Sequence, residues 1–239
     1  MIEARGVATA VIGLVRPHLE ATRPPRSLWV PFPLGRPLGE PEDAAFQRKV
    51  LLQALRLLER TDGPVILEDF AEDAPSMRDT AGWVPPIALA HQPRPPAGDA
   101  AGWARALDAE LAAIRRPWRA AQERFGRTTV GVCRLAPQDW GAFASRFLAG
   151  EIPDSPTAGL SGPLALRYLA DDLKALYSEA VQAEGPMPSA LQVARWFWRE
   201  TLAADFLRAL REASLTSDNN GFKTVGGRFL VPAPFVAKG

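Results

Sequence analysis

The stretch SLWVPFPLGRPLGEPEDAAFQRKVLLQALRLL, residues 27–58, decides how the chain is read. Its first six residues predict a short strand that ends where Pro31 and Pro33 withdraw their amides from the ladder. Residues 34–41 (LGRPLGEP) bring glycine and proline together so closely that they form a shaped loop. A helix over about 42–60 follows, with Glu42 and Asp43 at the positive end of its dipole. Phe46, Val50, Ala54, Leu57 and Leu58 recur along it at helical spacing. Thr61, Asp62, Gly63 and Pro64 stop that helix, and residues 65–67 predict a third short strand.

On the N-terminal side, residues 7–15 (VATAVIGLV) are a continuous apolar run rich in β-branched side chains. Such a run predicts a strand buried on both faces of a parallel sheet. Residues 16–26 leave room for one helical turn and a loop, and are tight for a full crossover helix. The fold class is therefore α/β, with a short parallel sheet at the N-terminus followed by a mainly helical C-terminal region. Residues 1–70 form the α/β segment, 71–99 a Pro-rich linker or arm, and 100–239 the helical region.

Within that last region the pattern predicts an amphipathic helix over 100–125, broken or kinked at Pro117. Residues 128–134 (TTVGVCR) read as a strand. A helix over 137–148 carries Trp140, Phe143 and Phe147. A longer one over 163–183 aligns Leu166, Leu169, Leu173, Leu176 and Ala180. A single helix over 189–213, capped by Ser189, aligns Leu191, Ala194, Trp198, Leu202, Phe206 and Ala209. The tail after Gly221 reads as a final strand.

Composition bounds the function. A formal net charge of +1 removes any global electrostatic argument for nucleic acid. One cysteine, Cys133, excludes an internal disulfide and a multi-cysteine metal site. The two histidines, His18 and His91, have no second ligand near them in sequence, so no metal and no cofactor is expected. Val7 to Val15 is too short to span a bilayer and no longer apolar run follows, so the expected location is cytoplasmic, without a membrane partner.

Few residues carry chemistry. Leu34, Gly35, Arg36 and Gly39 form a candidate ligand-binding loop after a strand, where open α/β sheets usually bind. Its backbone amides suit an anion and Arg36 a carboxylate. The alternative is a rigid turn setting the strand–helix angle. Cys133 is the sole candidate nucleophile, though a small buried hydrophobe explains it better. Trp196, Phe197 and Trp198 cannot all face one side of a helix, which makes Trp196 or Phe197 a candidate interface anchor beside the commoner two-sided core packing. Asp171, Asp172, Glu179, Glu200 and Asp205 read as a solvated face that pairs with Arg167, Lys174 and Arg199.

Residues 6–60 resemble the C-terminal part of protein B of the glycine/sarcosine/betaine/D-proline reductases. The resemblance rests on GVATAVIGLV, similar to that family's G-I-P-T strand, and on Pro31, Pro33, Leu34, Gly35, Pro37 and Gly39 leading into the helix through Leu58. It implies redox chemistry by a cysteine or selenocysteine in a loop upstream of that strand. Here five residues precede Gly6 and none is cysteine, so the nucleophile is missing while the scaffold is echoed. The implied role is an accessory or non-catalytic subunit whose cysteine- or selenocysteine-bearing α/β partner supplies the redox centre. The alternatives are a homo-oligomeric or free-standing enzyme with a diverged site, and a helical adaptor using the aromatic triplet.

Overall fold

The computed structural model describes residues 2–90 and 92–236. It divides into two compact units, Met1–Asp79 and Thr80–Gly239. The division falls inside the Pro-rich stretch, whose two ends belong to different cores. Ala74 is buried in the first, whereas Ile87 is buried in the second with Trp83 and Leu89 packed beside it.

The first unit is a three-stranded parallel sheet in the order β1 (Val11–Gly13), β2 (Arg26–Trp29), β3 (Ile66–Asp69). A short parallel sheet leading a helical region is what the sequence predicts. Helix α1 (Arg16–Thr22) links β1 to β2, and α2 (Ala44–Arg56) with a 3-10 turn over Leu57–Glu59 links β2 to β3. Asp43 starts α2 by accepting the Phe46 amide at 2.9 Å, the capping bond that replaces a missing intrahelical acceptor. Phe46, Val50, Ala54 and Leu57 then bury against Leu28, Val30, Ile66 and Phe70.

The run 7–15 is not a strand buried on both faces. Only Val11–Gly13 pair, at the sheet edge, and Val7, Val11 and Val15 stay exposed. Ahead of them the Glu3 carboxylate accepts the Thr9 amide and hydroxyl, at 2.8 and 2.9 Å, and one Arg26 guanidinium nitrogen. These local bonds hold the segment outside the ladder. The linker to β2 accommodates α1 because Gly13 lacks a side chain: a Cβ there would sit 2.7 Å from Leu19.

The second unit is helical: α3 (Ala100–Phe125), α4 (Trp140–Leu148), α5 (Gly162–Ala180), α6 (Ala190–Glu200), α7 (Leu202–Thr216) and α8 (Asn220–Val225). Helix α3 packs along α4, α5 and α7. Leu107, Leu111 and Ile114 meet Trp140, Leu166, Leu169, Leu173 and Phe206 in one core. Trp103 stacks on Phe206 with ring centroids 5.9 Å apart.

Three expectations fail here, each for a local reason, and of the break or kink expected at Pro117 the break does not occur. Helix α3 runs unbroken through Pro117. The carbonyl that loses its donor belongs to exposed Ala113 and can turn to water, while buried Ile114 and Ala121 hold the helix on both sides. Residues 128–134 form no strand, because their amides and hydroxyls bond to carboxylates of α5. The helix expected over 189–213 is two. Thr201 leaves helical geometry (φ −101°, ψ 145°), donates its hydroxyl to the Phe197 carbonyl and accepts the Ala204 amide, ending α6 and starting α7. The tail is helical: Asn219 caps α8 through the Phe222 amide, and a wider turn over Gly226–Leu230 follows. Ser189, by contrast, caps α6 as expected, in a reciprocal pair with Gln192.

Candidate functional site

In the first unit the loop 31–43 leaves the carboxyl end of β2, the end at which ligands bind in open parallel sheets. Two successive turns shape it, the Arg36 amide donating to the Pro33 carbonyl and the Gly39 amide to the Arg36 carbonyl. Gly35 and Gly39 both take positive φ, 88° and 84°. At Gly39 a Cβ would also lie 2.4 Å from the Phe46 ring, so glycine is required there twice over. Beneath the loop Phe32, Phe46 and Phe70 form a closed trio with centroids 5.6–5.8 Å apart. The rigid-turn role is thus fulfilled in full by buried Gly39. Leu34, Gly35 and Arg36 project outward, and the Arg36 guanidinium has no partner among the described residues. At the same end of the sheet Arg16 holds both carboxylate oxygens of Asp69 at 3.2 Å and also pairs with Glu20.

The sequence-derived residues of the second unit are drawn inward. Cys133 is fully buried, its amide donating to Asp172 at 2.8 Å. Burial first, then the adjacent Asp172 carboxylate, pushes its thiol up to about 12. A thiolate nucleophile requires the opposite shift, so Cys133 is a packed core residue. His18 lies on α1 in the other unit, and His91 lies outside the described residues. Trp196 and Phe197 are each 4% exposed and pack on Tyr177, with centroids 6.1 and 5.3 Å away. Trp198 stacks on Phe235. All three aromatics are accommodated because helices and the C-terminal turn surround α6, and the adaptor reading loses its exposed anchor.

The acids on α5 and α7 are not a uniformly solvated face either. Asp171 does pair with Lys174, but Asp172 is 1% exposed and accepts the Val132 and Cys133 amides. Glu179 accepts the Trp118 indole, both Thr128 and Thr129 hydroxyls and the Thr129 amide, all within 2.8 Å. Burial alone would raise the pKa of Glu179, but these donors together hold it below the usual carboxylate range.

One polar centre escaped the sequence reading. Glu110, 4% exposed, accepts the Tyr177 hydroxyl at 2.6 Å and the Leu202 and Ala203 amides at 2.8 and 2.9 Å. It caps α7 from a distant helix, placing negative charge at the positive end of the dipole. Burial, then the Glu110 charge, drives the Tyr177 phenol well above its ordinary value. Beside it opens a cleft of about 650 Å3 lined by Leu89, Arg94, Glu110, Arg199, Thr201 and Asp205. The signal was present: Glu110 falls on the apolar stripe of α3 between Leu107, Leu111 and Ile114, where a carboxylate needs dedicated partners.

Among the described residues no group of three potential ligands is placed to hold a metal ion, and no helix is long and apolar enough to cross a membrane. Comparison with family models, with curated proteins and with solved structures finds no match to this chain.

Proposed function

We propose that this chain is an accessory subunit of a protein-B-like thiol/selenol reductase system, completing the sheet or substrate pocket of a partner that bears the cysteine or selenocysteine. The observation that supports this reading is the open edge at β1. Gly13 turns its carbonyl toward β2, accepting the Val30 amide at 3.0 Å. By the alternation of a parallel ladder, Ile12 turns its amide and carbonyl the other way, where no strand pairs with it among the described residues. In the resembled family the redox loop lies just upstream of this strand, so a partner carrying that loop would extend the sheet here by adding a strand. Arg36, unpaired at the carboxyl end of the same sheet, offers a fork for the carboxylate that glycine, sarcosine, betaine and proline share.

Affinity co-purification from the native cell, followed by sizing and mass spectrometry, tests the reading. The expected result is a stoichiometric partner with a cysteine- or selenocysteine-bearing α/β segment, whose turnover falls in the Arg36→Ala complex while the complex stays assembled. Recovery of the chain free of other proteins, active alone, overturns it.

A further inference from the structure

Helix α2 has two apolar faces, and the sheet uses one. Phe46, Val50, Ala54 and Leu57 point inward. On the opposite side Leu51, Leu52, Leu55 and Leu58 are 42%, 41%, 55% and 36% exposed. At about 100° per residue they spread over a broad outward arc with Leu55 near its middle, and exposed Ala44 and Ala45 continue that arc toward the helix start. A surface helix normally turns charge outward, so four neighbouring leucines call for cover. Two charges bracket the four leucines along the helix: Arg48, one turn before Leu51 and Leu52, and Glu59, just after Leu58. Both are exposed, and neither has a partner among the described residues.

We propose that this face is a self-association surface on which a second copy of the chain docks with its α2 antiparallel. The sequence is self-complementary in one register. When Leu52 faces Leu55 of the copy, Leu55 faces Leu52, and Arg48 of each chain falls opposite Glu59 of the other. A two-fold pair therefore closes a centre of two Leu52–Leu55 contacts with an ion pair at each end, the isologous arrangement that a dimer axis requires. Arg56 and Lys49 of each chain lie at the margin, level with Leu51 and Leu58 of the other. A parallel pairing would set Arg48 against Arg48 and Glu59 against Glu59. The face excludes the open edge of β1, so the inference stands apart from the reductase reading.

Sedimentation equilibrium of the full chain across a micromolar dilution series supplies the test. The wild type is expected to dimerise reversibly. Leu55→Glu places two carboxylates across the axis and raises the dimer Kd by at least about a hundredfold, with the melting temperature of the monomer unchanged. Arg48→Glu raises Kd by about tenfold, and Arg48→Glu combined with Glu59→Arg restores it. A wild type monomeric throughout, or a dimer indifferent to Leu55→Glu, overturns the proposal. So does a monomeric chain whose capture of a different protein is lost in Leu55→Glu, since the face would then belong to that protein. A dimer of the purified chain leaves the β1 edge free, so this outcome stands whether or not co-purification from the cell upholds the reductase reading.

Discussion

Removing the Glu110 carboxylate is the sharpest perturbation the helical unit offers. Three donors converge on it, the Tyr177 hydroxyl and the Leu202 and Ala203 amides, all buried. Each buried donor left unmade costs about 1–3 kcal/mol, and loss of the charge at the start of α7 adds about 0.5–1 kcal/mol. Water entering from the adjoining cleft offsets part of that sum. We therefore expect Glu110→Ala to destabilise the helical unit by about 4 kcal/mol, a large share of the 5–15 kcal/mol typical of a domain. Glu110→Gln keeps one oxygen for two donors but turns an NH2 group on a third, and should cost about 2 kcal/mol.

The assay is urea unfolding followed by tryptophan fluorescence, which reports chiefly on this unit because every tryptophan except Trp29 lies in it. A double-mutant cycle between Glu110→Ala and Tyr177→Phe should return a coupling of about 1.5–3 kcal/mol, as for a hydrogen bond to a charged acceptor. A cost below about 1 kcal/mol for Glu110→Ala would show that α7 is held by its apolar face alone, and would refute the capping argument.

Two further outcomes follow from the same kind of geometry. Cys133, its thiol pushed up to about 12, should resist iodoacetamide at pH 8 in the native protein and react once urea unfolds it; rapid native labelling would contradict its burial. Because its folded pKa lies above the unfolded value, the stability it contributes is complete below about pH 9 and declines as pH rises toward 12, so Cys133→Ala should lessen the alkaline loss in melts and leave the part due to Tyr177. At the loop, Gly39→Ala should cost about 3 kcal/mol or more, since positive φ and a clash with Phe46 act together, whereas Gly35→Ala meets open space and should cost about 1 kcal/mol; equal costs in thermal melts would refute the distinction.

The parts of the fold legible in the sequence are those that repeat. Helix α2 announces itself through Phe46, Val50, Ala54 and Leu57, and α5 through five apolar positions in register, all of which are buried. What escaped is non-periodic and held by single carboxylates. TTVGVC has the composition of a strand, yet Glu179 and Asp172, some 40–50 residues away, take up its amides. The apolar pattern runs on across Thr201, and the helix start there rests on the Thr201 cap together with Glu110, 92 residues distant from Leu202. Rules that pair acids with arginines along a helix face cannot see this, because the partners are backbone amides that every residue type carries.

The first unit exposes two kinds of surface, strand edges and an apolar helix face, and their chemistry differs. The edge of β1 presents amides and carbonyls, which carry no apolar demand and are satisfied by water until a strand replaces it. Selection for covering that edge is therefore a matter of geometry and function, and a transient or regulated partner suffices. The outer face of α2 presents leucine side chains that water disfavours by about 25 cal/mol for each Å2 exposed, so its cover is driven by burial itself. A sheet of three strands, each of three or four residues, over a core of ten buried side chains has little stability to spare for such exposure. The leucine face should consequently be covered whenever the protein is folded at working concentration, whereas the β1 edge can stand open to water.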